Sequence, residues 1–176
     1  MAEAVAEKGY VGTSVADVLR RARVSRETFY QNFADKQACF LASLDHSATI
    51  LVSVMGSAFV DTAVTPRQRF DKGMRAYLEA LAAEPAVARS VLIESMAAGR
   101  EAQEKRFSIK ENFAKVLQAN YATEPGWQAL PDSMFFARAL VGAISSLVVS
   151  VLAMGDPAEL PALHKPIMDL LDHFGL

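Results

Sequence analysis

Cysteine is nearly absent from this chain. Cys39 is the only one in 176 residues, so no intrachain disulfide can form. Histidine is almost as scarce. His46, His164 and His173 have no metal-ligand spacing with one another or with Cys39, so neither a metal nor a cofactor is expected. No P-loop, nucleophile elbow or dinucleotide fingerprint occurs, which leaves a helical enzyme as the weakest reading. No stretch alternates apolar and polar residues as a strand does. Charge is modest at 22% of residues and net −2, so the chain is no polycation. Its first residues, MAEAVAEKGY, lack a basic start and an apolar run, so no secretion signal is read and a cytoplasmic, reducing setting is expected. The longest apolar run, residues 139–154, has 16 residues, three of them serine. A membrane span needs about 20, so this run reads as a helix buried within the protein.

What is present is concentrated in residues 13–36, TSVADVLRRARVSRETFYQNFADK. Thr13 or Ser14 can cap a helix whose Val15, Val18, Leu19 and Ala22 recur on one face. Ser25 is a second N-cap. The helix it opens, about residues 26–32, turns Phe29 inward, with Phe33 closing the cluster. Arg26, Glu27, Thr28, Tyr30 and Gln31 are left outward. Asp35 then caps a long helix opened by Lys36. Two short helices joined by so tight a turn form a helix-turn-helix, which sets its second helix in a DNA major groove. Arg26 suits a guanine edge or a phosphate, and Gln31 an adenine edge. The hydroxyls of Thr28 and Tyr30 suit phosphate oxygens. Lys36, at a helix N-terminus, suits a phosphate as well.

Gly9-Tyr10, Thr13-Ser14-Val15, Asp17-Val18, Val24-Ser25, Thr28-Phe29-Tyr30, Phe33 and Lys36 resemble the N-terminal signature of the tetracycline-repressor (TetR) family of bacterial regulators. The resemblance covers roughly the first 45 residues. It implies that Thr13, Ser25, Thr28, Tyr30 and Lys36 touch the DNA backbone. With Ser14, Arg23, Arg26 and Gln31 they complete the DNA-facing candidates. Two departures stand out. Only eight residues precede Gly9, where the family has about four helical turns. Arg23 occupies a turn position that is often glycine in the family. There it either bears a positive φ at something like 1 kcal/mol or more, or adds a cation for phosphate.

Charge agrees in sign with a DNA-binding head. Residues 1–40 hold six Lys/Arg against five Asp/Glu, and the remainder twelve against fifteen. Residues 1–45 are read as the head and 46–176 as a ligand-binding and dimerisation body.

The body is punctuated by helix signals. Thr65-Pro66-Arg67-Gln68 is a cap, an N1 proline and a capping-box glutamine. Glu84-Pro85 opens a helix ending near Gly99. A long helix is expected from about Glu101 to Tyr121, with Phe107, Phe113, Val116 and Leu117 inward. Residues 122–130 read as a loop. Asp132 and Asp156 cap further helices, and the last is expected to begin near Pro166. The fold class is all-α, with about nine helices.

Apolar residues reach 52%, which is rich for a soluble monomer and points to a pocket, an interface, or both. Pocket candidates are Met55, Phe59, Phe70, Met74, Tyr77, Met96, Phe113, Tyr121, Trp127, Met134 and Phe135. Arg138, read as a charge early in a buried helix, needs a partner. Either a structural carboxylate or an acidic ligand group would serve. Gly142, Ser146 and Ser150 form a ridge of small residues that lets two helices approach closely. Ile167, Leu170, Leu171 and Phe174 stripe the last helix. In the resembled family the last two long helices pair with those of a second subunit, which implies a homodimer here. The expected partners are therefore double-stranded DNA, a mostly apolar small-molecule effector and a second copy, with no membrane. The expected function is a ligand-released repressor. The alternative is a family-fold ligand-binding protein with weakened DNA binding.

Overall fold

The computed structural model describes every residue except Thr62 and Leu176. Ten α-helices and two 3₁₀ segments follow one another, and no strand occurs among the described residues. Helices α1 (Ala2–Gly12), α2 (Val15–Ala22) and α3 (Arg26–Asn32) gather around the start of α4 (Lys36–Phe59). Then come α5 (Pro66–Ala83), α6 (Pro85–Leu92), a 3₁₀ turn (Glu94–Met96) and α7 (Arg100–Tyr121). The chain ends with α8 (Pro125–Gln128), α9 (Ser133–Met154), a 3₁₀ segment (Pro157–Leu163) and α10 (His164–His173). Helix α4 runs unbroken across residues 45 and 46, so the expected head and body share a helix.

Side chains start most of these helices. The Ser14 hydroxyl accepts the Asp17 N–H while Asp17 accepts the Ser14 N–H at 3.0 Å, a complete capping box. Thr65 and Gln68 form another. Ser25, Asp35 and Asp132 cap α3, α4 and α9 in turn. Each such cap contributes about 1 kcal/mol.

The main core lies in the body. One cluster gathers Ala137, Leu140, Ile144, Val148 and Leu152 of α9, Phe70, Met74, Leu78 and Leu81 of α5, and Ala114 and Leu117 of α7. Each large apolar side chain so buried contributes roughly 1.5–3 kcal/mol. A second cluster of Val5, Phe40, Leu41, Leu44, Val91, Ala98 and Ala102 joins head to body. A third, of Val18, Phe29 and Cys39, holds the helix-turn-helix together. Helices α4 and α9 are long and apolar enough to cross a bilayer, yet both contribute buried residues to these clusters.

Several boundaries differ from expectation. Helix α6 stops at Leu92 and a 3₁₀ turn fills part of the interval to Gly99. Residues 122–130 contain the single turn α8, which buries Trp127. The segment after Asp156 is 3₁₀ rather than α, and it carries Pro161 inside it. Helix α10 begins at His164, with Pro166 in its first turn, where the missing N–H has no intrahelical acceptor anyway. On α7, Phe107 is 71% exposed and Val116 is 41% exposed, whereas Leu117 is buried and Phe113 half-buried, so only part of the expected inward face points in.

Candidate DNA-binding head and ligand pocket

Helix α3 is held by one side chain, Phe29, whose ring lies 5.5 Å from that of Phe33. Everything else on it faces outward: Arg26, Glu27, Thr28, Tyr30 and Gln31 are exposed, as is the capping Ser25. The Ser25 hydroxyl accepts the Thr28 N–H at 3.0 Å and lies 2.9 Å from the Thr28 hydroxyl. The result is a short helix with a polar, hydroxyl-rich face and one cation at its start. Ser14 is exposed beside Asp17, and the cations Arg20 and Lys8 both pair with that aspartate. Hydrogen bonds from Lys8 and Ser14 hold the Asp17 carboxyl below the usual carboxylate range.

Arg23 has φ 56° and ψ 40°, the one left-handed non-glycine residue among those described. The turn does require positive φ, and arginine supplies it at about 1–2 kcal/mol. Its side chain is exposed beside Arg20 and Arg21.

Two candidates in the head are turned inward. Thr13 is buried, and its hydroxyl donates to the carbonyls of Ala4 (3.1 Å) and Gly9 (2.7 Å). The Lys36 ammonium donates to the carbonyls of Tyr10 and Thr13, both at 2.9 Å, and lies 4.3 Å from the centre of the Tyr10 ring. Both side chains tie the C-terminal end of α1 to the helix-turn-helix.

In the body, helices α4, α5, α6, α7 and α9 enclose a largely apolar pocket. Its cavity volume is only about 80 Å³. It is a slot rather than a chamber. Of the pocket candidates, Met55, Phe59, Phe70, Met74, Tyr77 and Phe113 line it. The other pocket candidates lie elsewhere. Tyr121 and Trp127 stack on one another in the core, with ring centroids 5.2 Å apart and planes 17° apart. Met134 is half-buried against the same core. Met96 and Phe135 are exposed, at 57% and 69%.

Arg138 is not buried. It sits at the surface in a two-pronged ion pair with Glu111, at 2.8 and 2.9 Å. Two cations that the sequence does not single out line the pocket instead: Arg106 and Lys110, both on α7. Burial pushes both down from their ordinary range, and the Arg106 charge lowers Lys110 further. Tyr77 faces them, and its burial pushes the phenol up to about 12. Turning Arg106 in and Phe107 out forgoes roughly 1.5–3 kcal/mol of apolar burial. The sequence signal they do carry is spacing: Arg106 and Lys110 stand seven residues before Phe113 and Leu117, on the same face of the helix.

On the far side of α9, Ser146, Leu147, Ser150 and Met154 are exposed, and nothing lies within 4 Å of a Cβ placed on Gly142. Leu170 of α10 and Phe174 just past its end are also exposed, at 44% and 47%. Ile167 and Leu171, expected at the same interface, point into the protomer's own core.

Residues 2–43 match the family model for bacterial regulatory proteins of the tetR family. No curated protein matches the chain. Among solved structures, the fatty acid degradation regulator FadR from Bacillus halodurans is similar over 97% of this chain and 92% of its own, at 20% identity and a TM-score of 0.81. The transcriptional regulator FadR from Bacillus subtilis, in complex with stearoyl-CoA, is similar over the same shares, at 19% identity and a TM-score of 0.82. PfmR from Thermus thermophilus, a TetR family transcriptional regulator, is similar over 97% and 90%, at 18% identity and a TM-score of 0.75.

Proposed function

We propose that this chain is a ligand-released transcriptional repressor, a reading supported by the match of residues 2–43 to the family model for bacterial regulatory proteins of the tetR family. The observation that carries the reading is α3: a short helix packed through Phe29 alone, with its polar face free to enter a major groove. Arg26, Tyr30 and Gln31 supply base-edge and phosphate contacts, while Ser14, Arg23, Ser25 and Thr28 hold the backbone. Thr13 and Lys36 act one step back, fixing α1 against the motif.

Two copies pair through the exposed faces of α9 and α10, which makes the operator a palindrome. The effector is a mostly apolar small molecule that works in the cytoplasm. Stearoyl-CoA in the Bacillus subtilis regulator supports an effector of that kind. The narrowness of the slot supports a mechanism. A ligand must part the helices to enter, and Leu44 and Val91 belong both to the slot wall and to the seam with the head. Opening the slot therefore moves the head. A 100-fold loss of DNA affinity requires the ligand to prefer the released form by about 2.8 kcal/mol.

Footprinting on DNA flanking the protein's own gene tests this reading. Two protected half-sites, about 34–36 Å or a multiple apart, are expected. No protection at saturating protein would contradict it.

A further inference from the structure

Arg106 and Lys110 lie one helical turn apart on the pocket-facing side of α7. Like charges so spaced destabilise a helix. Other cations nearby have carboxylate partners: Arg100 has Glu104, Lys105 has Asp45 and Arg138 has Glu111. Among the described residues, no carboxylate offsets Arg106 or Lys110, and the Arg106 Nε is buried without a hydrogen-bond partner. Cations drawn even half out of water, as these two are, are ordinarily paired. Here no described residue supplies the pairing group, and the cations face an apolar slot.

We propose that the slot binds an anionic amphiphile, with its acidic group between Arg106 and Lys110 and its chain along Tyr77, Met74, Phe59 and Phe113. The Arg106 guanidinium donates to the acid through its fork of N–H groups, and the Lys110 ammonium adds a second, charge-assisted bond. The Tyr77 phenol, kept protonated, can donate a third. Apolar walls account for the chain. The acid is either a carboxylate at the chain's end or a phosphate of a thioester carrier, since both present oxygens that match this pair. This deepens the regulator reading by naming the ligand class of the same pocket.

Titration calorimetry on the full-length protein tests it with four probes sharing a twelve-carbon chain: dodecanoate, dodecanoyl-CoA, 1-dodecanol and dodecyltrimethylammonium. At least one of the two anions is expected to bind about tenfold or more tighter than the alcohol, with the cation weakest. Preference for dodecanoate assigns the carboxylate, and preference for the thioester assigns the phosphate. Arg106→Gln with Lys110→Gln should remove the preference while leaving the alcohol's affinity within about threefold. If that variant does not fold, the probe series on the unaltered protein decides alone. Alcohol binding equal to that of both anions overturns the inference, as does binding by none of the four.

Adding each probe to the protein on its DNA separates the two readings. An alcohol that binds as tightly as the acids and releases DNA overturns the inference and leaves the regulator standing. An acid that binds through Arg106 and leaves DNA bound does the reverse.

Discussion

The Glu94 carboxylate accepts the Tyr10 backbone N–H at 2.7 Å, linking residues 84 apart in sequence. It does so at the kink of α1, where Gly9 has φ +72°. Glu94 lies just past the end of α6, whose Val91 and Leu92 line the pocket, and Tyr10 in turn receives Lys36. The pocket wall, the kink and the base of the helix-turn-helix are thus in continuous contact.

Glu94→Ala should therefore uncouple the two ends. Unliganded DNA affinity should change little, while the ligand's effect on it should fall from about 100-fold to under tenfold, roughly 1.4 kcal/mol of lost coupling. DNA titrations with and without dodecanoyl-CoA measure this. An undiminished ligand effect would place the coupling elsewhere. Gly9→Ala at the same joint is expected to cost about 1 kcal/mol or more of stability, because alanine strains at this φ and its Cβ would sit 3.3 Å from a Glu94 oxygen.

Arg23→Gly separates strain from binding. Glycine relieves the left-handed turn and should stabilise the protein by about 1 kcal/mol. If the arginine contacts a phosphate, the same change weakens DNA binding and lowers the slope of log affinity against log salt by about one. A more stable protein with an unchanged salt slope would leave Arg23 with a purely structural cost.

Arg26→Ala and Thr28→Val should differ in kind. The first is expected to cost about 1–3 kcal/mol and relax preference at one base pair. The second should weaken all sequences alike. Affinities for a panel of single-base operator variants tell them apart.

Asp17 provides a pH test. Its folded-state carboxyl lies below the unfolded value, mainly through the hydrogen bond from Lys8 and then those from Ser14. Its contribution is complete above the unfolded pKa of about 4 and is lost as pH falls toward the folded one. Asp17→Asn should lower Tm at pH 7, with the gap to the parent protein shrinking below about pH 4. A gap independent of pH would remove the carboxylate charge from the account.

Ser146→Trp places bulk on the exposed ridge of α9, away from the protomer core. Sedimentation should shift from dimer toward monomer. An unchanged dimer would move the interface to another face.

The caps explain why so much of the fold is legible in the sequence. Ser14, Ser25, Asp35, Thr65 and Asp132 each begin a helix where their short polar side chains say one should begin. The helix-turn-helix is legible for the same reason, since its geometry is local. What escapes depends on which way a helix faces. Phe107 reads as inward, yet it is exposed, while Arg106 lines the pocket on the face of Phe113. The apolar stripe of α10 reads as one interface, yet Ile167 and Leu171 face inward while Leu170 and Phe174 face out. Bulky residues suggest pocket lining, but Tyr121 and Trp127 stack on one another in the core. The apolar neighbours of Arg138 imply burial, although Glu111 meets it at the surface.

Fluorescence anisotropy with DNA from beside the protein's own gene, against scrambled DNA at two salt concentrations, tests the central claim most directly. The account predicts tight, sequence-selective binding that weakens steeply with salt and is lost when the pocket ligand is added. Binding no tighter than to scrambled DNA at both salts would contradict it.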